Sequence, residues 1–170
     1  MDQSTLSEGP IVDRAGWTAH GASDIGHRRG RNEDRFILMP EAAAYIVCDG
    51  MGGHPGGAEA SLLASQAARD SLAGDTRAPA DRVSQAARAA AVAVRRVADE
   101  TPALASMGTT LTLAQLDPTA GRAWLEQIVV DGNRHGRSHQ PRESALLYKL
   151  DRIHRIDRTP KMGSIDPDPV

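Results

Sequence analysis

In the stretch YIVCDGMGGHPGGAEAS, residues 45–61, an apolar run gives way to a glycine-rich loop and then to an alanine-rich segment. Apolar residues run up to Asp49, five glycines follow within the eight residues 50–57, and an alanine-rich segment begins after them. An apolar run that ends in a glycine-rich loop indicates a buried strand, followed by backbone that approaches a ligand closely or takes positive φ. The sequence therefore predicts a strand that delivers one carboxylate into a loop with few side chains.

On either side of this stretch, the spacing of apolar residues changes between the period of a strand and that of a helix. Strands are expected at 16–23, 35–40, 42–48, 109–116 and 122–130, the second and third of which could form a hairpin. Helices are expected from 60 to about 72 and from about 81 to 101. Strands, then helices, then strands is an α+β order, in which helices lie on an antiparallel sheet.

Composition limits the class of protein. The chain has 170 residues, 40% of them hydrophobic, and a formal net charge of -2, which gives no general attraction to nucleic acid or membrane. Cys48 is the only cysteine, which excludes an internal disulfide and fits a reducing compartment. Cys48 itself is expected to be a small core residue. We expect a soluble cytoplasmic domain without a membrane partner.

The glycine-rich loop does not match the common phosphate-binding loops. It has no Gly-Lys-Ser/Thr ending and no G-x-G-x-x-G leading a βαβ unit. Asp49 at the end of a strand could instead bind Mg²⁺ or Mn²⁺, with the Gly50 carbonyl turned toward the same ion, because hard cations prefer oxygen ligands. A solvent-exposed turn with a capping aspartate explains this stretch equally well.

A second polar cluster, SDIGHRRGRNEDRF at 23–36, precedes the first strand of the hairpin. A run of this kind is usually a solvated loop. However, arginines and paired carboxylates beside a metal-binding Asp-Gly would also suit a phosphate dianion held near metal ions.

Three motifs together resemble a known family. Gly26-x-x-Arg29-x-x-Asn32-Glu33-Asp34, Asp49-Gly50-Met51-Gly52-Gly53-His54 and Gly108-Thr109-Thr110-Leu111 occur in the order and at the approximate spacing found in bacterial metal-dependent protein serine/threonine phosphatases. These are the PPM, or 2C-type, phosphatases. The resemblance covers about residues 15–127.

The resemblance implies a fold and roles for the residues that match. The fold would be part of an α-β-β-α sandwich, with two antiparallel sheets flanked by helices and two Mn²⁺ or Mg²⁺ ions at one end. Asp49 would bridge both ions and the Gly50 carbonyl would bind one, with Glu33 or Asp34 in the same shell through water. Arg29 would bind the substrate phosphate. His54 could donate a proton to the leaving alkoxide, although a histidine that merely packs the loop is as plausible.

The implied activity is hydrolysis of phosphoserine and phosphothreonine in phosphorylated proteins, opposing a serine/threonine kinase. In the family, two metal ions activate a water molecule that attacks phosphorus in line. No nucleic-acid partner is implied.

The resemblance ends near residue 127. The family's Gly-Asp-Ser-Arg motif and late metal-binding aspartates have no convincing counterpart, and Asp131-Gly132 matches them only superficially. Residues 1–130 contain 26 alanines and residues 131–170 contain one. We therefore divide the chain into a flexible segment 1–15, a phosphatase portion 16–130 and a divergent or truncated tail 131–170. A truncated or frame-shifted gene is the favoured explanation, against a regulatory tail or a degenerate domain.

Two other function classes stay open. A pseudophosphatase could bind phosphoproteins through Arg29 and Asp49 without holding both metals. A purely structural fragment would bind no metal. The favoured function is a metal-dependent protein phosphatase whose activity could be impaired by the loss of late metal ligands.

Overall fold

The computed structural model describes residues 19–25, 30–51, 56–117 and 120–132, and the backbone of 146–149. Five strands occur there: β1 (Asp34–Met39), β2 (Ala44–Asp49), β3 (Gly108–Asp117), β4 (Arg122–Asp131) and β5 (Leu146–Lys149). Two helices, α1 (Gly57–Leu72) and α2 (Pro79–Glu100), lie between β2 and β3 in the chain. The predicted α+β class is confirmed.

All five strands form one antiparallel sheet in the order β1-β2-β3-β4-β5, so each strand pairs with its neighbour in sequence. The expected hairpin is β1–β2, closed by a 3-10 turn over Pro40–Ala42 with Ala43 in the left-handed region at φ 47°. The described residues contain one sheet and two α-helices, which is part of the expected sandwich. Residues 20–23, where a strand was expected, have no strand, and Ala19 makes an isolated bridge.

Small side chains at helical spacing explain how α1 packs. Ala60, Ala64, Ala68 and Leu72 follow one another every four residues, and all are fully buried. The helix begins after Gly56, whose φ of 86° is one that side chains other than glycine rarely adopt.

Helix α2 begins with Pro79 at its first turn, where proline's missing amide costs nothing. Val83, Ala90 and Val94 on its inner face are fully buried. It ends at Glu100, just before Pro102, as predicted.

Both helices pack on the same face of the sheet, which we call the covered face. Along β2, Ala44, Ile46 and Cys48 point to the covered face and are fully buried, whereas Val47 is 53% exposed. We call the other side, where Val47 lies, the open face. No helix in the described part of the chain is long and apolar enough to span a membrane.

Candidate active site at one end of the sheet

The structure brings residues of the three sequence motifs together at one end of the sheet. Asp34 at the start of β1 lies opposite Asp49 at the end of β2. On the other side of β2, Gly50 pairs with Thr109 near the start of β3, so that Asp49 lies opposite Thr110. Segments about 60 residues apart in sequence therefore become adjacent.

The pair of aspartates is the most specific chemical feature of this end. The Gly50 amide donates to the Glu33 carbonyl at 3.2 Å, which makes Asp34 and Asp49 a non-hydrogen-bonded pair, the type with the closer side chains. Opposite residues of two strands share a face, with Cβ atoms about 4.5–5.5 Å apart. Carboxylate oxygens on one face of adjacent strands are the donor type that a hard divalent cation prefers.

Asp49 ends β2, as the sequence predicts, and its side chain is exposed on the open face. Two threonine hydroxyls contact its backbone. The Asp49 amide donates to Thr110 Oγ1 at 3.2 Å, and Thr109 Oγ1 donates to the Asp49 carbonyl at 3.0 Å. Met51, two residues after Asp49, also bonds to β3, because its amide donates to the Gly108 carbonyl at 2.9 Å.

Glycine is required at Gly50, where backbone atoms approach too closely for a side chain, and at Gly108 a side chain would force Met51 to shift. A Cβ on Gly50 would lie 2.5 Å from the Gly57 carbonyl oxygen and 2.7 Å from that of Glu33. A Cβ on Gly108 would lie 2.9 Å from the Met51 sulfur. The glycines thus allow β2, the loop and the start of α1 to meet at van der Waals contact.

Glu33 lies apart from the aspartate pair. Its side chain is 13% exposed, and a Cβ on Gly57 would lie 3.3 Å from its carboxylate, so Glu33 lies at the first turn of α1. A carboxylate there is stabilised by the helix dipole. Arg31 lies 3.8 Å from Glu33 and 3.5 Å from Glu59 of α1. Among the described residues, no three His, Cys, Asp or Glu side chains are grouped closely enough to hold a metal ion.

Cys48 is a core residue, as predicted. It is fully buried on the covered face, and burial raises the pKa of its thiol to about 12. A thiol with such a pKa is protonated near neutrality and is a poor nucleophile.

Arg29 and His54, the predicted phosphate-binding and proton-donating residues, lie outside the described residues. The described site also includes Thr109 and Thr110, for which the sequence predicted no individual role. The sequence did contain a feature that could have identified them, because both belong to the third motif.

No protein-family model matches the sequence, and no curated protein matches it significantly. Solved structures do. The serine/threonine phosphatase PstP/Ppp of Mycobacterium tuberculosis matches with a TM-score of 0.53 and 27% identity, over 72% of this chain and 46% of that one. A bacterial serine phosphatase matches with a TM-score of 0.54 and 18% identity, over 73% and 48%.

A third structure is the PPM Ser-Thr phosphatase MsPP from Mycobacterium smegmatis, with a TM-score of 0.49, 25% identity and 74% and 46% coverage. That score is too low to add support. The chain spans slightly less than half the length of these three proteins.

Proposed function

The chain has part of the fold of the PPM-type serine/threonine phosphatases, and we propose on this basis that it hydrolyses phosphoserine or phosphothreonine in proteins, in a reaction that requires Mn²⁺ or Mg²⁺. The observation that carries the proposal is the meeting of Asp34, Asp49 and Thr110 on one face at one end of the sheet. The similarity to the Mycobacterium tuberculosis serine/threonine phosphatase supports the reaction class.

Asp34 and Asp49 are the proposed metal ligands. Both supply hard oxygen donors on adjacent strands, which is the donor type that these cations prefer. The Gly50 carbonyl is a further proposed ligand. Glu33 is proposed to act through a water molecule, because its carboxylate lies against α1 rather than beside the aspartates. Among the described residues, no third acidic side chain is grouped with the two aspartates.

The remaining roles concern the substrate. Bound divalent cations supply the positive charge that neutralises phosphate and acidifies water. We propose that Arg29 binds the phosphate through charge-assisted hydrogen bonds and that His54 supplies a proton to the departing serine or threonine oxygen. The exposed position of Asp49 leaves this end of the sheet accessible to a phosphoprotein.

The proposal is tested first with the purified chain and p-nitrophenyl phosphate, with and without Mn²⁺. Asp49→Asn should abolish turnover and most Mn²⁺ binding, because the pair loses half its charge. Asp117→Asn is the matched control, since Asp117 lies at the far end of β3 and an asparagine there can still accept the Ala120 amide. Equal Mn²⁺ affinity in Asp49→Asn and the parent would show that the metal site is elsewhere.

A second test addresses phosphate binding. Arg29→Ala should weaken binding of a phosphoserine peptide by roughly 1.5–3 kcal/mol, the value of a charge-assisted contact. Arg28→Ala removes the same charge from the adjacent position and should have a smaller effect. Peptide and Mn²⁺ binding without any turnover would instead identify a non-catalytic phosphoprotein-binding module.

A further inference from the structure

Asp49 is held at both of its backbone polar groups by side chains of the neighbouring strand. Thr110 Oγ1 accepts the Asp49 amide hydrogen at 3.2 Å, and Thr109 Oγ1 lies 3.0 Å from the Asp49 carbonyl oxygen. Thr109 Oγ1 also lies 2.9 Å from its neighbour's carbonyl, so its single hydrogen is shared between two acceptors. These side-chain bonds add to the backbone pairing of β2 with β3 at this end of the sheet, which the Gly50–Thr109 bridge marks.

The two hydroxyls reach Asp49 from opposite faces of the sheet. Thr109 points to the covered face and is fully buried, whereas Thr110 is half-buried and shares the open face with the Asp49 carboxylate. Threonine is branched at Cβ and has few accessible rotamers, so the direction of each hydroxyl is set by the strand. The two bonds hold the peptide units on either side of the Asp49 Cα, and together they fix the direction in which its side chain leaves the backbone.

We propose that Thr109 and Thr110 are positioning residues, which set the orientation of the Asp49 carboxylate for metal binding. This inference rests on the proposed function. A metal ligand must be held close to its productive geometry, and groups that orient ligands typically change metal affinity by about 10–100-fold when removed. The third motif then contributes both Gly108, whose carbonyl accepts the Met51 amide, and the two threonines that hold Asp49 at the end of β2.

The test compares valine and serine at each threonine in the full chain. Valine keeps the shape and removes the hydroxyl, whereas serine keeps the hydroxyl and removes a methyl group. By Mn²⁺ titration calorimetry, Thr110→Val should weaken affinity about tenfold and Thr110→Ser should stay within about twofold of the parent. Thr109→Val and Thr109→Ser should behave in the same way.

Thr112→Val is the control, because Thr112 lies on the same strand and face as Thr110 and its hydroxyl accepts from Gln127 at 3.3 Å. It should leave Mn²⁺ affinity unchanged. Equal losses in Thr112→Val and Thr110→Val, or equal losses in the serine and valine variants, would overturn the proposal. If the buried Thr109→Val variant fails to fold, the half-exposed Thr110 pair decides.

Amide hydrogen exchange separates this inference from the proposed function. Thr110→Val should speed exchange of the Asp49 amide about tenfold, the loss of one hydrogen bond, and Thr110→Ser should not. A parent chain that binds no Mn²⁺ overturns the proposed function, and the positioning of a metal ligand with it, whatever the exchange rates. Where the parent binds Mn²⁺ and exchange of the Asp49 amide is the same in all three chains, the positioning role alone is overturned.

Discussion

The two faces of the sheet differ in what covers them, although they are built from the same strands. On the covered face, Ile46, Leu111 and Leu113 are fully buried under α1 and α2. On the open face, Val47 and Val129 are 53% and 54% exposed. The helices therefore account for the core, and the open face contributes apolar surface that both described helices leave uncovered.

The candidate site lies at one end of the sheet, where residues of both faces contribute to it. Asp34 and Asp49 point to the open face, while Thr109 and Glu33 reach the same strand ends from the covered side. Side chains on the covered face thus hold the strand ends in place, and the open face leaves the Asp49 carboxylate exposed to solvent.

The largest effect is expected from a core truncation. Ile46→Ala should destabilise the chain by about 2–5 kcal/mol, because it removes buried methyl groups and leaves a cavity beneath the helices. Val47→Ala, one residue away on the open face, should cost about 1 kcal/mol or less. Urea unfolding measures both. Similar costs at the two positions would mean that the open face is as well packed as the covered one.

A smaller loss of stability is expected from a side chain added at Gly50. Gly50→Ala should cost about 1–3 kcal/mol, because its Cβ would lie 2.5 Å from backbone that cannot easily move. Gly30→Ala is the control, since a Cβ there meets nothing within 4 Å. An undisturbed midpoint in Gly50→Ala would show that β2 and the start of α1 are not in close contact.

Much of this architecture could be predicted from the sequence because burial enforces periodicity. The strand that ends in Asp49 and the alanine face of α1 follow directly from alternation and four-residue spacing. The positions of both helices and of β3 agree with the expected ranges to within a few residues.

Other features of the site could not be predicted, because they depend on register. Glu33 and Asp34 are consecutive, and consecutive residues of an extended chain point to opposite sides. One consequently lies against α1 and the other beside Asp49. The bonds from Asp49 to Thr109 and Thr110 depend on the alignment of two strands separated by two helices, which local patterns do not determine.

A smaller and pH-dependent effect is expected at Glu126, a carboxyl on the covered face that is 5% exposed. Burial raises its pKa, and the charge of Arg88 partly opposes this. A carboxyl whose folded-state pKa exceeds its unfolded value stabilises the fold least when ionised, so stability falls as pH rises from the unfolded pKa through the folded one.

Glu126→Gln, which resembles the protonated form, should therefore raise the urea midpoint near neutral pH and remove this part of the pH dependence. Glu41→Gln, at an exposed position, serves as the control. If the midpoint of Glu126→Gln falls at neutral pH, the ionised carboxylate has a stabilising partner and the assumed sign is wrong.

The smallest effect on stability is expected from the double variant Val47→Thr, Val129→Thr. Both side chains are more than half exposed on the open face, and threonine keeps their branched shape, so the unfolding free energy should change by about 0.5 kcal/mol or less. Self-association should change more, because exposed apolar patches promote it and each hydroxyl lowers the apolar area. Sedimentation velocity over a concentration series should show less association than in the parent chain. If the free energy of unfolding of the double variant instead falls by several kcal/mol while association is unchanged, the open face is buried in solution. The difference between the two faces then does not hold.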